Sequence, residues 1–146
     1  MGMPDLIRRQ EATNRTIKKF RHLAFSWEGK ATCAHLAAFH LRAMGHKSPL
    51  VPKFRTALGA TRAMKAMGFE TSEQILSSIK SIRRINPAFL KMGDLVTIAG
   101  AGELAEIGAM AICLGPLVLL GWREDHPKMV VLGDLTLDLL QSAWSL

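Results

Sequence analysis

Cys33 stands in the stretch FSWEGKATCAHLAAFH (25–40), just after a glycine-containing turn and at the start of an alanine-rich run with helical character. A thiol at a helix N-terminus is favoured as thiolate, because the unpaired amides and the helix dipole stabilise negative charge there. Thiol hydrolases use such a group as nucleophile, with a histidine to accept its proton and a third polar group to orient the histidine. The competing reading needs no chemistry: a buried free cysteine packs as a small hydrophobe.

Which histidine would serve as base is the deciding question, and there are five. His35 is two positions from Cys33 and falls on another helix face. His40 shares the face of Cys33, but seven residues at 1.5 Å rise place it about 10 Å away, beyond the roughly 3 Å a proton transfer needs. His22 and His46 sit in turns flanking the helix. His126, in the polar loop REDHPK, lies past a predicted strand and is the base an active site would use, although a histidine in such a loop is ordinarily solvated. Cys113 lies mid-strand in an apolar run and is expected in the core. The two cysteines are far apart, with no CxxC and no paired histidine, so neither a disulfide framework nor a metal site is expected, and no cofactor is implied.

The elements that would position Cys33 follow from periodicity and punctuation. At 146 residues the chain fits one domain, 1–146. Residues 1–22 contain an N-terminal helix that opens at Pro4-Asp5, with Leu6, Ile7, Ile17 and Phe20 as its apolar positions. A helical part, 31–82, follows. Its first helix runs from about Ala31 to Met44, is closed by Gly45, and carries Cys33, Leu36, Ala37, His40 and Met44 on one stripe. The second carries Ala57, Ala60, Met64 and Met67 opposite Arg55, Arg62 and Lys65. The third is capped at Thr71 or Ser72 and places Ile75, Ile79 and Ile82 at helical spacing.

From 93 to 146 the pattern changes to strands, at about 94–99, 107–114, 117–122 and 128–132, and LTLDLLQSAWSL reads as a strand running into a short helix. The uncharged run 107–122 is 16 residues long and is interrupted by Gly115-Pro116. It therefore reads as two buried strands and not as a membrane span. Helices followed by strands predict an α+β fold.

The order of these features resembles the papain-like NlpC-type cell-wall peptidase superfamily: a helix-borne cysteine, intervening helices, then a Gly-Asp-Leu-Val strand leading a small antiparallel sheet. It is more similar still to small phage-tail and prophage proteins near that superfamily. The segments that carry the resemblance are Phe25-Ser26-Trp27-Glu28-Gly29, Thr32-Cys33, Phe54-Arg55-Thr56 with Gly59-Ala60, Gly93-Asp94-Leu95-Val96, Ala111-Ile112-Cys113-Leu114-Gly115 and Ala143-Trp144. The resemblance implies an NlpC-type fold with N-terminal helices packed on the sheet, Cys33 in the nucleophile position, and Trp27, Gly29, Gly93 and Asp94 as structural motif residues. It also implies a histidine at the start of the strand AMAICLG, where this chain has Ala109. Thr32 replaces the acid that precedes the cysteine, and one residue is inserted in the Trp-Gly turn. The catalytic pattern is thus degenerate.

By that resemblance the chain is expected to be a structural component of a phage tail tip or tail assembly, or of a gene-transfer-particle tail. Its partners would be hub, distal tail or tip proteins. The first fifteen residues lack the apolar core of an export signal, so synthesis in the bacterial host cytoplasm and residence in the virion tail are expected. The alternative is an active thiol hydrolase of peptidoglycan stem peptides used in genome delivery, with Cys33 as nucleophile and His126 as base. Peptidoglycan is a partner only in that case.

Charge adds a third reading. Residues 1–91 hold 17 Lys and Arg against 5 Asp and Glu, a net of +12, whereas 92–146 hold 2 against 7, a net of −5. Such asymmetry suits either an anionic partner or packing between oppositely charged protein surfaces. Nucleic-acid binding through Arg8, Arg9, Arg15, Lys18 and Lys19 is the weaker option. No reading motif is present, there is no tyrosine, and only nine aromatic residues are scattered through the chain. Nucleic acid is therefore not an expected partner.

Overall fold

The computed structural model describes residues 5–49, 53–99, 107–115, 118–122 and 140–146, and the backbone of 130–132. Four helices come first: α1 (Asp5–Phe20), α2 (Cys33–Ala43), α3 (Ala57–Ala66) and α4 (Ser72–Ser77). Strands β1 (Arg83–Ile85), β2 (Leu95–Ile98), β3 (Ala109–Gly115), β4 (Val118–Gly121), β5 (Val130–Leu132) and β6 (Leu140–Ser145) form one antiparallel sheet of order β1-β6-β2-β3-β4-β5. The α+β class and the helices-then-strands order read from the sequence are both present.

Local chemistry sets the helix ends. Thr32, Thr56 and Thr71 cap α2, α3 and α4, each with its hydroxyl accepting a backbone N–H three residues on, which satisfies amides that have no partner within the helix. α2 stops because Gly45 takes φ +91°, and His46 N–H then donates to Leu41 O at 2.8 Å. Only glycine adopts that backbone conformation without strain.

Alternation along the strands divides the core in two. Leu95, Met110, Ile112, Leu120 and Trp144 face the helices and pack with Phe20, Leu36, Leu41, Met44 and Leu76. Val96, Ala111, Cys113, Leu119 and Ala143 form a second buried cluster on the opposite face. Register keeps like with like: Leu95 lies between Ile112 and Trp144, and Val96 between Ala111 and Ala143.

Four expectations need correction. The C-terminal segment ends as strand β6, without a helix among its described residues, because pairing to both β1 and β2 holds it extended. β1 was not expected: Arg-Arg-Ile has no usable period, and β6 supplies its order. The helix at Thr71 lasts only six residues, although Ile79 and Ile82 beyond it are still buried. Met67 lies at the C-cap of α3 and is 42% exposed, so only Ala60 and Met64 of the expected stripe reach the core.

Of the apolar positions expected on α1, Phe20 is buried but Leu6 and Ile7 are exposed, and the helix instead buries Arg9, Thr13 and Thr16 beside Ala12 and Phe20. A Cβ at Gly93 would come within 3.2 Å of the Thr13 hydroxyl, and Gly93 holds φ +93°. The turn before β2 thus presses its backbone onto α1. None of the helices is long and apolar enough to cross a membrane, among the described residues.

Candidate functional site

Cys33 is the first residue of α2, delivered there by a tight turn. Ser26 and Ala31 exchange both backbone hydrogen bonds at 2.9 Å, and Ser26 Oγ accepts the Gly29 N–H at 2.9 Å. A Cβ on Gly29 would stand 3.0 Å from that oxygen. Lys30 closes the turn at φ +56°, before Thr32 caps the helix.

The thiol points inward. Cys33 is 7% exposed and shares the main core with Phe20, Leu36, Ala37, Met110 and Ile112, with Ala34 and Ala109 packed against that cluster. Burial pushes the thiol pKa up, although the backbone amides of Met110, Ala34 and Cys33 pull it back. Desolvation outweighs the helix-terminal amides, so the thiol is held neutral. The involvement of the Met110 amide puts the sulfur beside the first residues of β3, and the residue there is Ala109. Cys113 is buried on the other sheet face, its Sγ directed to Gly115 O at 3.2 Å and its pKa raised to about 11.

Four histidines are placed. His35 is buried, with its Nδ1 2.7 Å from Thr32 Oγ1 and its ring against Phe54. His46 reaches Ser81 Oγ at 2.7 Å and Leu146 O at 3.2 Å. His22 is exposed in the turn after α1. His126 lies outside the described residues.

His40 proves to be the centre of a buried polar network. Its Nε2 lies 2.8 Å from Gly93 O and its Nδ1 lies 2.7 Å from Thr16 Oγ1, and the ring has no solvent exposure. A carbonyl can only accept, so Nε2 carries the proton and Nδ1 accepts from the Thr16 hydroxyl. Burial lowers the His40 pKa to about 4, against a smaller upward pull from the Gly93 carbonyl and Asp94.

Next along the chain, Asp94 is buried, and its Oδ1 accepts from Arg9 Nη1 at 2.5 Å and from Leu146 N–H at 3.1 Å. Its Oδ2 accepts the Lys91 N–H at 2.9 Å. Arg9 also donates to Met92 O and, through Nε, to Asp5 at 2.7 Å. The Gly93-Asp94 pair is thus a clasp that ties α1, α2, β2 and the C-terminal residue together.

Arg9 was assigned above to an exposed basic surface and is corrected here: it is 5% exposed and committed to two carboxylates. Arg8 likewise pairs with Asp5 and donates to Met44 O and Leu146 O. The signal for this was the spacing of Arg9, Thr13 and Thr16 along one helix face, a buried-polar stripe that resembles a wet one in composition, with the exposed Asp5 one turn before Arg9. Among the described residues no group of three or more His, Cys, Asp or Glu could hold a metal ion.

No curated protein and no solved structure matches the chain. Residues 6–145 match the family model of a domain of unknown function, DUF6950. That match runs from the first turn of α1 to the last residue of β6 and takes in both the Cys33 helix and the Gly93-Asp94 clasp, so the chain belongs to the DUF6950 family.

Proposed function

We propose that the chain is a structural component of a phage tail tip or tail assembly, or of the corresponding part of a gene-transfer particle. In this reading it is built on an NlpC-like, papain-type domain that has lost its catalytic base. The observation that carries the proposal is a buried Cys33 thiol beside the Met110 backbone, in a cluster against which Ala109 also packs. The helix-borne thiol sits beside the start of β3, where the resembled superfamily holds its histidine, and meets an apolar shell there. A neutral thiol in such a shell is a packing element, which leaves function to the surface of the domain.

The charge division supports docking between unlike neighbours, since the helical part is strongly basic and the strand part acidic. The test is to tag the chain in its native particle and isolate tails. Stoichiometric recovery with hub, distal tail or tip proteins is expected, and deletion should leave particles stalled before the tip is complete. Tails that assemble normally and contain none of the chain would end the proposal.

A further inference from the structure

The fold gathers what the sequence scatters. Six of the nine aromatic residues form one unbroken row, Phe39–Phe20–Trp122–Phe25–Trp27–Phe54, with successive ring centroids 5.7, 6.0, 6.0, 5.6 and 6.1 Å apart. Phe20 and Phe54 are buried and anchor the row to the core, while Phe25, Trp27, Phe39 and Trp122 keep part of their surface in solvent.

Exposed cations neighbour these rings along the chain. Lys19 and Arg21 flank Phe20, Lys53 and Arg55 flank Phe54, and Lys30 closes the turn that carries Trp27; all five are exposed. Lys19 Nζ stands 5.7 and 5.2 Å from the Phe20 and Phe39 ring centroids. The stretches 19–30 and 53–55 hold a single acid, Glu28.

We infer that this row is a binding surface for single-stranded nucleic acid, whose unpaired bases would lie against the part-exposed rings while the five cations follow the phosphates. Rings interleaved with positive charge, and with no base-reading groups, form a sequence-tolerant stacking platform. An acidic protein segment would satisfy the charges but would leave the rings without stacking partners. The surface differs from the α1 cluster weighed from the sequence, because Arg8 and Arg9 are spent on Asp5 and Asp94. It runs against the expectation that nucleic acid is not a partner, which rested on the absence of a reading motif and of tyrosine and on there being only nine aromatic residues.

The experiment is a tryptophan-fluorescence titration of the full chain with a 20-nucleotide oligothymidylate from low to moderate salt. Quenching is expected, with a log-log salt slope of roughly −3.5 if five phosphates are neutralised. Lys53→Glu with Arg55→Glu should weaken binding at least tenfold. An equal charge reversal toward the other end of α1, Arg83→Glu with Lys91→Glu, should weaken it less than threefold. All four substituted positions are exposed, and unchanged thermal unfolding would confirm intact folds. The inference is overturned by absence of quenching at low salt, by equal loss in the two double variants, or by a duplex or polyglutamate competing as well as the oligothymidylate.

Discussion

Lowering the pH from 6.5 to 4 should remove about 3 kcal/mol of folding stability through one side chain, His40. Its folded pKa is about 4 against an ordinary value of 6.5. The unfolded chain therefore binds a proton in that window while the folded chain does not, and stability rises with pH across it. The contribution is fully present above pH 6.5, falls as pH drops toward 4, and is spent below 4. A difference of 2.5 pH units at 1.36 kcal/mol each gives about 3 kcal/mol, with a mid-window slope of roughly 1.3 kcal/mol per pH unit.

The geometry explains why protonation is costly without being locally disruptive. In the neutral form the Thr16 hydroxyl donates to Nδ1. In the charged form Nδ1 would donate to Thr16, whose hydroxyl could then turn to Ala12 O, 3.0 Å away. Hydrogen bonds survive in both states, so the cost is desolvation of the imidazolium. Asp5 does not confuse the measurement. Hydrogen bonds from Arg8 and Arg9 hold its pKa at about 2, so its contribution is lost only below its ordinary 3.8.

Urea unfolding at half-unit pH intervals, for the wild type and His40→Gln, is the assay. The wild type should lose stability steeply between 6.5 and 4, and the variant should be weaker at pH 7 but nearly flat across the window. Parallel curves for the two proteins, or a His40 NMR titration near pH 6.5, would refute the argument.

Two further outcomes follow from the same core. Cys33 should react with iodoacetamide at neutral pH at least tenfold more slowly in the folded chain than in urea, because it is buried and held as the thiol. Rapid alkylation of the native protein, with muralytic activity lost in Cys33→Ala, would instead establish the hydrolase reading, and loss in His126→Ala would be needed to make His126 its base. Arg9→Ala should cost about 3–5 kcal/mol, since Asp94 is left as a buried carboxylate without its ion pair, whereas Asp94→Ala should cost less because Arg9 keeps Asp5 as a partner. The double variant should cost much less than the two added together, which a denaturation cycle would measure.

Much of the architecture was legible because it depends on local chemistry. Threonine caps, Gly45 and the stripe Leu36-Ala37-His40-Met44 mark α2 within two residues of its ends, and β-rich runs between turn residues mark four strands. What the chain hides is long-range choice. Nothing in Arg-Arg-Ile says strand until β6 lies beside it. Arg9 reads as solvent-facing because a guanidinium is ordinarily buried only when it is paired, and its partner is 85 positions away in sequence. The site was legible in the same uneven way: Cys33 at a helix start and Gly93-Asp94 as a motif could be read directly. That His40 is a core hydrogen-bonding residue depends on Gly93 and Thr16, which no spacing rule connects to it.

The burial of Cys33 and the alanine at 109 are two sides of one physical arrangement. A catalytic cysteine needs a proton acceptor within reach and enough polarity around it to tolerate the ion pair that results. A histidine on β3 would require that polarity, and the dry contacts with Phe20, Met110 and Ile112 would then be a liability. With alanine at 109 the demand disappears, and a close apolar shell becomes favourable because a neutral thiol is nearly as apolar as the methyl groups around it. The amides at the start of α2 still face the sulfur, but desolvation outweighs them. A thiol at a helix start can therefore serve packing alone and remain un-ionised despite the amides around it.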